Sequence, residues 1–111
     1  MSGIITLKKN NDFRRLYSKG RSYTSAVLVT YVGKNRLGYV RIGITVSKKV
    51  GKAVLRSRSR RIIREAYRIL LDDINGSYDL VFVARGKTPY VKTDDILRAM
   101  KKELREAGVL K

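Results

Sequence analysis

The clearest pattern along the chain is a two-residue alternation of apolar and polar positions. Residues 40–47 alternate in this way, which predicts a strand with one buried face. Residues 80–84 are apolar on both faces, as is typical of a central strand that is covered on both sides. Residues 23–32 are rich in β-branched and aromatic side chains and predict a further strand. Turns are expected at residues 33–38 and 75–77, where glycine and asparagine cluster.

Two segments near the ends of the chain have the three-to-four-residue spacing of amphipathic helices. The first is expected to begin at Asn10 or Asn11, either of which can cap a helix, and to end at Gly20. The second is expected to be capped by Thr93. Its charges mix both signs and include Glu103, which predicts an ordinary solvated face.

The order of these elements predicts the fold class. It favours a small α+β domain, a single-sheet sandwich with helices in the order α-β-β-(β)-α-β-α. The chain has 111 residues, which predicts a single domain over residues 1–111. Against 26 Lys and Arg there are only 9 Asp and Glu, for a net charge of +17, yet 43% of the residues are hydrophobic. The excess charge must therefore lie on the surface of a folded domain, where it suits a polyanion such as nucleic acid.

Composition also excludes several chemistries. The chain has no Cys and no His, so thiolate nucleophiles, a Ser-His-Asp triad and Cys or His metal sites are excluded. The carboxylate pairs Asp72-Asp73 and Asp94-Asp95 are the candidates for a metal site of an intrinsic metallonuclease. Neighbours on a helix point about 100° apart, so neither pair is expected to converge on one ion. We predict no catalytic side chain and no metal ligand.

The chain is expected to be cytoplasmic. The apolar run at the N-terminus is too short for a signal peptide. No stretch approaches the roughly 18 apolar residues that a membrane span needs. No membrane partner is therefore expected.

The middle helical segment, residues 52–70, separates apolar and cationic positions onto different faces. On a helical wheel, the apolar positions of this segment share one arc: Ile62, Ile63, Ala66, Ile69 and Leu70. Ser59 lies inside the same arc. Five arginines occupy a different arc of about 140°: Arg56, Arg60, Arg61, Arg64 and Arg68. Arg58 lies at the edge of this arc.

This nearly one-signed face predicts an anionic partner. Like charges four residues apart destabilise a helix, and Glu65 is the only counter-charge nearby. The planar fork of arginine can bind phosphate oxygens with two hydrogen bonds and can stack on bases. The alternative interpretation is a solvated charged face, which most charge runs are.

Residues 46–65 resemble the signature of the bacterial ribonuclease P protein component. The matching positions are Ser47-Lys48-Lys49, Gly51-Lys52-Ala53-Val54, Arg56-Ser57-Arg58, Arg60-Arg61 and Arg64-Glu65, with Asn11-Asp12-Phe13, Tyr17 and Gly20 near the N-terminus. The chain departs from the family at Ser57, where Asn is usual, and a hydroxyl cannot present the paired donor and acceptor of an amide. Ser59 also replaces a residue that is usually larger and apolar.

The resemblance implies that residues 1–111 form a single RNA-binding domain, and it assigns separate roles to an RNA subunit and to this chain. The fold would contain a left-handed βαβ crossover. A large RNA subunit would carry out the Mg²⁺-dependent hydrolysis that frees the 5′ end of tRNA from its leader, with Mg²⁺ bound mainly by that RNA and the substrate. The resemblance assigns binding of the RNA subunit to Arg56, Ser57, Arg58, Arg60, Arg61, Arg64, Arg68, Lys48, Lys49 and Lys52. It assigns binding of the precursor tRNA leader to Phe13, Tyr17 and Tyr31, and no DNA partner is expected.

Spacing alone leaves other interpretations of these residues open. Phe13 and Tyr17 stand four residues apart on one helix face, which favours core residues that anchor a short helix. Tyr31 would then belong to cross-strand packing. The lysines before residue 53 are equally consistent with a mobile solvated loop. For the whole chain, the alternative function is a structural, ribosomal-type RNA-binding protein without a role in cleavage.

Overall fold

A computed structural model describes residues 3–111 of the chain as a four-stranded sheet with three α-helices. The predicted order of elements is confirmed, with the optional third strand present before the central helix. The elements are α1 (Asn10–Lys19), β1 (Arg21–Thr24), β2 (Leu28–Lys34), β3 (Arg41–Thr45), α2 (Ala53–Leu70), β4 (Tyr78–Ala84) and α3 (Thr93–Glu106). Short 3-10 turns lie at Lys48–Val50, Leu71–Asp73 and Thr88–Tyr90.

The sheet has the strand order β1-β2-β4-β3. Strand β4 is central, as its apolar run predicts, and Leu80, Val81 and Phe82 are fully buried. It pairs antiparallel with β2 and parallel with β3. The chain therefore turns back between β2 and β3 as expected, but β4 is inserted between them. The unit β3-α2-β4 is a crossover between parallel neighbours, and its left-handed sense stays a prediction.

The two faces of the sheet are covered unequally. Helices α2 and α3 pack on one face, where Leu28 and Phe82 belong to the main core. Helix α1 lies on the other face, where Leu16 packs with Leu7 and Val81 in a smaller cluster. Since α1 has only 10 residues, it leaves part of this second face uncovered.

The prediction of one strand over residues 23–32 is wrong, because the segment forms two strands joined by a tight turn. The backbone N–H of Ser25 donates to the carbonyl of Leu28 at 2.9 Å. Its hydroxyl also accepts hydrogen bonds from the N–H groups of Val27 and Leu28. A serine hydroxyl can satisfy backbone groups in this way at a turn, and strand propensity gives no sign of it.

The predicted helix caps are also wrong by one residue. Asn10 and Thr93 are the first residues of their helices, and neither they nor Asn11 cap through the side chain. At α3 the carboxylate of Asp95 accepts a hydrogen bond from the N–H of Lys92 at 3.0 Å. An acidic residue in the first turn thus satisfies the backbone N–H of the residue that precedes the helix, as in one half of a capping box. The end of α1 after Lys19 is as predicted.

Two burial predictions fail on the helices that cover the core. Ile69 of α2 is 57% exposed, whereas Tyr67 is buried. The two residues lie at opposite edges of the buried arc, and the Tyr67 ring packs against Phe82 with the ring centroids 5.6 Å apart. Glu103 of α3, expected on the solvated face, is only 1% exposed, because it lies three residues after Met100 and seven after Ile96 and so shares their buried face.

Candidate RNA interface

Four exposed arginines in the second half of α2 form a cationic surface, which we call the arginine face: Arg60, Arg61, Arg64 and Arg68. Three of them, Arg60, Arg61 and Arg64, line one cavity. Among the ion pairs of residues 3–111, the arginine face contributes one, between Arg61 and Glu65 at 3.7 Å. Both partners are largely exposed, so this pair adds little stability. These guanidinium groups are therefore available to an anionic partner.

The two arginines in the first half of α2 are anchored to backbone carbonyls. Arg56 donates to the carbonyl of Gly51 at 2.8 Å, and Arg58 donates through Nε to the carbonyl of Pro89 at 2.7 Å. Each guanidinium has five N–H donors, so most of its donors stay free for phosphate. Ser57 lies between them and is exposed.

The predicted lysines lie on the segment that leads into α2. Lys48, Lys49 and Lys52 are all exposed, and the first two belong to a 3-10 turn. Gly51 follows that turn with φ of +146°, a conformation that other residues rarely adopt. The lysines are thus held at a defined turn, next to the start of the arginine helix.

The three predicted leader residues come together on the face of the sheet that α1 only partly covers. We call Phe13, Tyr17 and Tyr31 the aromatic cleft. The rings of Tyr17 and Tyr31 meet edge to face with centroids 5.0 Å apart. The Tyr17 hydroxyl shares a hydrogen bond of 2.7 Å with the hydroxyl of Thr45. Tyr17 is nevertheless 41% exposed, so its ring is held in place and remains accessible.

Phe13 connects the aromatic cleft to the arginine face. Its ring lies against Gly43 of β3, where a methyl group would overlap it. Phe13 and Gly43 also line the cavity of about 430 Å³ that Arg60 and Arg64 border. Phe13 is half-buried against Leu7, so it combines the packing role that spacing favours with an exposed edge. The structure therefore joins the two predicted binding surfaces.

A buried network of charges holds α1 on the sheet, and sequence reasoning missed it. The guanidinium of Arg41 binds both carboxylate oxygens of Asp79, at 2.9 and 2.8 Å. Asn35 adds a third hydrogen bond to Asp79 at 2.8 Å. Asp12 of α1 lies 3.7 Å from Arg41 and pairs with Arg15 at 2.8 Å. This network fixes the helix that carries Phe13 and Tyr17.

The network also sets the charge state of Asp79. Burial would raise the pKa of its carboxyl, but hydrogen bonds from Arg41 and Asn35 outweigh burial and lower the pKa below its usual value. The hydrogen bonds to Asp79 raise the pKa of Arg41 above its ordinary value. The stabilising contribution of Asp79 is therefore present at neutral pH and is lost only as the pH falls through its lowered pKa.

The carboxylate pairs lie at helix ends. Asp94 and Asp95 are in the first turn of α3, and Asp72 and Asp73 follow α2 in a 3-10 turn. In the described residues, no three acidic side chains gather as a metal-binding group. Within the same part of the chain, no helix is both long and apolar enough to span a membrane.

Comparisons with known proteins identify relatives over nearly the whole chain. The family model described as "Ribonuclease P" matches residues 1–108. The ribonuclease P protein component of Clostridium botulinum (strain Loch Maree) is 45% identical over 104 residues, which cover 93% of this chain and 94% of that protein. The corresponding protein of Clostridioides difficile (strain 630) is 44% identical over 104 residues, covering 93% and 91%.

Solved structures agree with these relatives. The RNase P protein of Staphylococcus aureus superposes with a TM-score of 0.85 at 34% identity, covering 98% of this chain and all of that one (100%). The RNase P protein of Thermotoga maritima superposes with a TM-score of 0.76 at 28% identity, covering 86% and 90%. The α+β fold is therefore shared with structures of these two proteins.

Proposed function

Because the chain belongs to the ribonuclease P protein family, whose members are protein components of a ribonucleoprotein endoribonuclease, we propose a role for each of its two surfaces. The arginine face, with the lysines before α2, binds the RNA subunit. The aromatic cleft binds the 5′ leader of precursor tRNA. The enzyme is the assembled ribonucleoprotein, and this chain contributes binding.

The observation that carries the proposal is the shared cavity of Phe13, Arg60 and Arg64. Because the arginine face and the aromatic cleft meet there, a strand in the cleft lies next to the RNA subunit. Exposed guanidinium groups without strong acidic partners favour phosphate, which they can bind with paired hydrogen bonds. A leader bound in the aromatic cleft would therefore lie next to the RNA subunit that is bound on α2.

The aromatic cleft suits a leader of variable sequence. Bases stack on aromatic rings for about 1–3 kcal/mol each, and they do so without sequence preference. The edge-to-face contact with Tyr31 and the hydrogen bond to Thr45 fix the Tyr17 ring before a base arrives. A fixed ring loses little conformational entropy on binding.

We propose that Mg²⁺ is bound mainly by the RNA subunit and the substrate, and that processing takes place in the cytoplasm. The acidic groups of residues 3–111 do not fit a protein-borne Mg²⁺ site, since no three of them converge and Mg²⁺ requires oxygen ligands in near-octahedral geometry. The contribution of the chain is electrostatic. Its net charge of +17 offsets repulsion between RNA subunit and substrate, which lowers the Mg²⁺ concentration needed for assembly.

Reconstitution tests the proposal. The protein is added to a bacterial ribonuclease P RNA at low Mg²⁺, and the cleavage and the affinity of precursor tRNA are measured. We expect faster cleavage and tighter binding of precursor than of mature tRNA. If neither changes, the role in processing is wrong, and the alternative of a structural RNA-binding protein remains.

A charge-matched pair of variants makes the test specific. Replacing Arg60, Arg61 and Arg64 by Ala removes the arginine face at the shared cavity. Replacing Arg98, Lys102 and Arg105 by Ala removes the same charge from exposed positions on α3. Only the first variant is expected to lose stimulation. Equal losses would mean that net charge, rather than the arginine face, carries the binding.

A further inference from the structure

The most exposed tyrosine of the described residues has no part in either proposed surface. Tyr90 is 71% exposed, on the segment 85–92 between β4 and α3, which we call the Tyr90 loop. Exposed aromatic rings on rigid segments are common contact residues, because they offer a large surface at low conformational cost. Tyr90 is therefore a candidate contact for a partner that binds near α2.

Hydrogen bonds on its buried side hold the Tyr90 loop in place. The buried Thr88 donates through its hydroxyl to the carbonyl of Val27 at 2.6 Å, and the same oxygen accepts from the N–H of Arg85 at 2.8 Å. Pro89 is buried, and the N–H of Tyr90 donates to the carbonyl of Lys87 at 3.0 Å. The backbone under the tyrosine ring is thus fixed before any partner arrives.

The loop is also attached to the arginine helix. Arg58 of α2 donates to the carbonyl of Pro89 at 2.7 Å, one residue before Tyr90. The loop packs on α2, whereas the aromatic cleft lies on the α1 side of the sheet. Tyr90 therefore extends the surface that α2 presents, rather than the leader cleft.

The charge of the loop favours RNA as the partner. Residues 85–92 contain Arg85, Lys87 and Lys92 and no acidic residue, and all three cations are exposed. A second copy of the same loop would be repelled by these charges, whereas phosphates on either side of a base would be attracted. An aromatic ring between cationic side chains is the arrangement that binds unpaired nucleotides.

We propose that Tyr90 stacks on an unpaired base of the RNA subunit, with Lys87 and Lys92 contacting the flanking phosphates. This inference rests on the proposed binding of that RNA by α2. It adds a stacking contact at the N-terminal half of the helix, beside Arg58, to the electrostatic contacts of the arginine face.

The test measures binding of the RNA subunit alone, without precursor tRNA, over a series of salt concentrations. Tyr90→Ala is expected to weaken binding about tenfold without changing the salt slope, because stacking releases no counterions. Tyr90→Phe keeps the ring and should bind within about twofold of the parent. Lys87→Gln should instead reduce the salt slope by about one.

The control is Tyr39→Ala, which removes another exposed tyrosine, one that borders a cavity with Asp72 rather than with cations. This variant should bind RNA like the parent. An equal loss in both alanine variants, or an unchanged affinity of Tyr90→Ala, would overturn the proposal. A change in sedimentation without a change in RNA affinity would assign Tyr90 to self-association and overturn it as well.

The companion variant Arg61→Ala with Arg64→Ala separates this proposal from the function on which it rests. If that variant loses affinity while Tyr90→Ala does not, the stacking contact alone is wrong. If neither variant loses affinity, docking of the RNA subunit on α2 is wrong. Because Tyr90 is largely exposed, Tyr90→Ala is expected to unfold at the parental temperature.

Discussion

Arg41 and Asp79 face each other across the parallel strands β3 and β4, joined by two hydrogen bonds of 2.9 and 2.8 Å. The pair lies beneath α1, and Asp12 of that helix is 3.7 Å from the same guanidinium. One buried ion pair thus connects the sheet to the helix that carries the aromatic cleft. The position of Tyr17 therefore depends on a charge network that contains none of the residues assigned to RNA binding.

We expect Arg41→Gln to destabilise the fold by about 2–3 kcal/mol, because it leaves the buried carboxylate of Asp79 without its main partner. Urea unfolding at neutral pH measures this loss. The variant Asp79→Asn, combined with Arg41→Gln, removes both charges and should recover part of the stability. No recovery in the double variant would mean that the two residues act independently.

Replacing both Arg61 and Arg64 by Ala should weaken binding of the RNA subunit and make its salt dependence shallower by about two units of slope. The reason is that formation of the complex releases fewer counterions when fewer phosphates are contacted. Affinity for the RNA subunit, measured from low to moderate salt, checks this prediction. An unchanged slope would place these side chains in solvent in the complex, despite their exposure on the arginine face.

The sequence predicts the elements that depend on local periodicity. The alternation at residues 40–47 and the doubly apolar run at 80–84 each predict a strand, and β3 and β4 confirm both. The alternation does not predict that Gly43, on the polar side of β3, is buried beneath Phe13. Ile69 shows the limit of the method. It belongs to the apolar arc of α2 by its angle, yet it is 57% exposed. Only the position of β4 determines which edge of that arc is covered, and Tyr67 reaches Phe82 there instead.

The sequence gives the candidate site residues, whose roles stay predictions, but it does not give the contacts that connect them. Phe13 and Arg64 are far apart in sequence, and only the crossover through α2 brings them to one cavity. Gly43 carried a local signal, since a glycine within an alternating strand often marks a close approach. Asp79 carried none, because its partner Arg41 lies on another strand and pairs with it through the sheet register.

Tyr17→Ala should cost about tenfold in affinity for precursor tRNA and nothing for mature tRNA, since only the precursor has a leader to stack on the ring. Tyr17→Phe removes the hydrogen bond to Thr45 but keeps the ring, so it should lose much less. Binding of both tRNAs to the assembled ribonucleoprotein measures the difference. Equal losses on the two tRNAs would assign Tyr17 to packing of α1.

Glu103 makes stability depend on pH in the neutral range. Its side chain is 1% exposed, and neither carboxylate oxygen has a hydrogen-bond partner. Two hydroxyls lie beside it: that of Thr30 is itself buried without a hydrogen-bond partner, and that of Ser25 donates to the carbonyl of Leu28 instead. Burial, the largest effect, raises the pKa of Glu103 to about 7.

The direction of the pH effect follows from this raised pKa. Below the ordinary value of 4.5, the carboxyl is protonated in both folded and unfolded chains, and it costs little. As the pH rises from there through about 7, the unfolded chain ionises first, so the folded state loses stability. The loss is on the order of 3 kcal/mol when complete. The chain contains no His, so few other side chains titrate in this window.

Glu103→Gln should therefore flatten the dependence of unfolding free energy on pH between pH 5 and pH 8, because the amide does not ionise. Glu103→Met should also flatten it and raise stability at the upper end, since a thioether needs no hydrogen-bond partner in the core. The control is Glu65→Gln, which removes an exposed carboxylate of α2 and should leave the slope unchanged. Urea unfolding at each pH measures all three variants. A parental slope in both Glu103 variants would show that Glu103 is ionised at no cost in the folded protein.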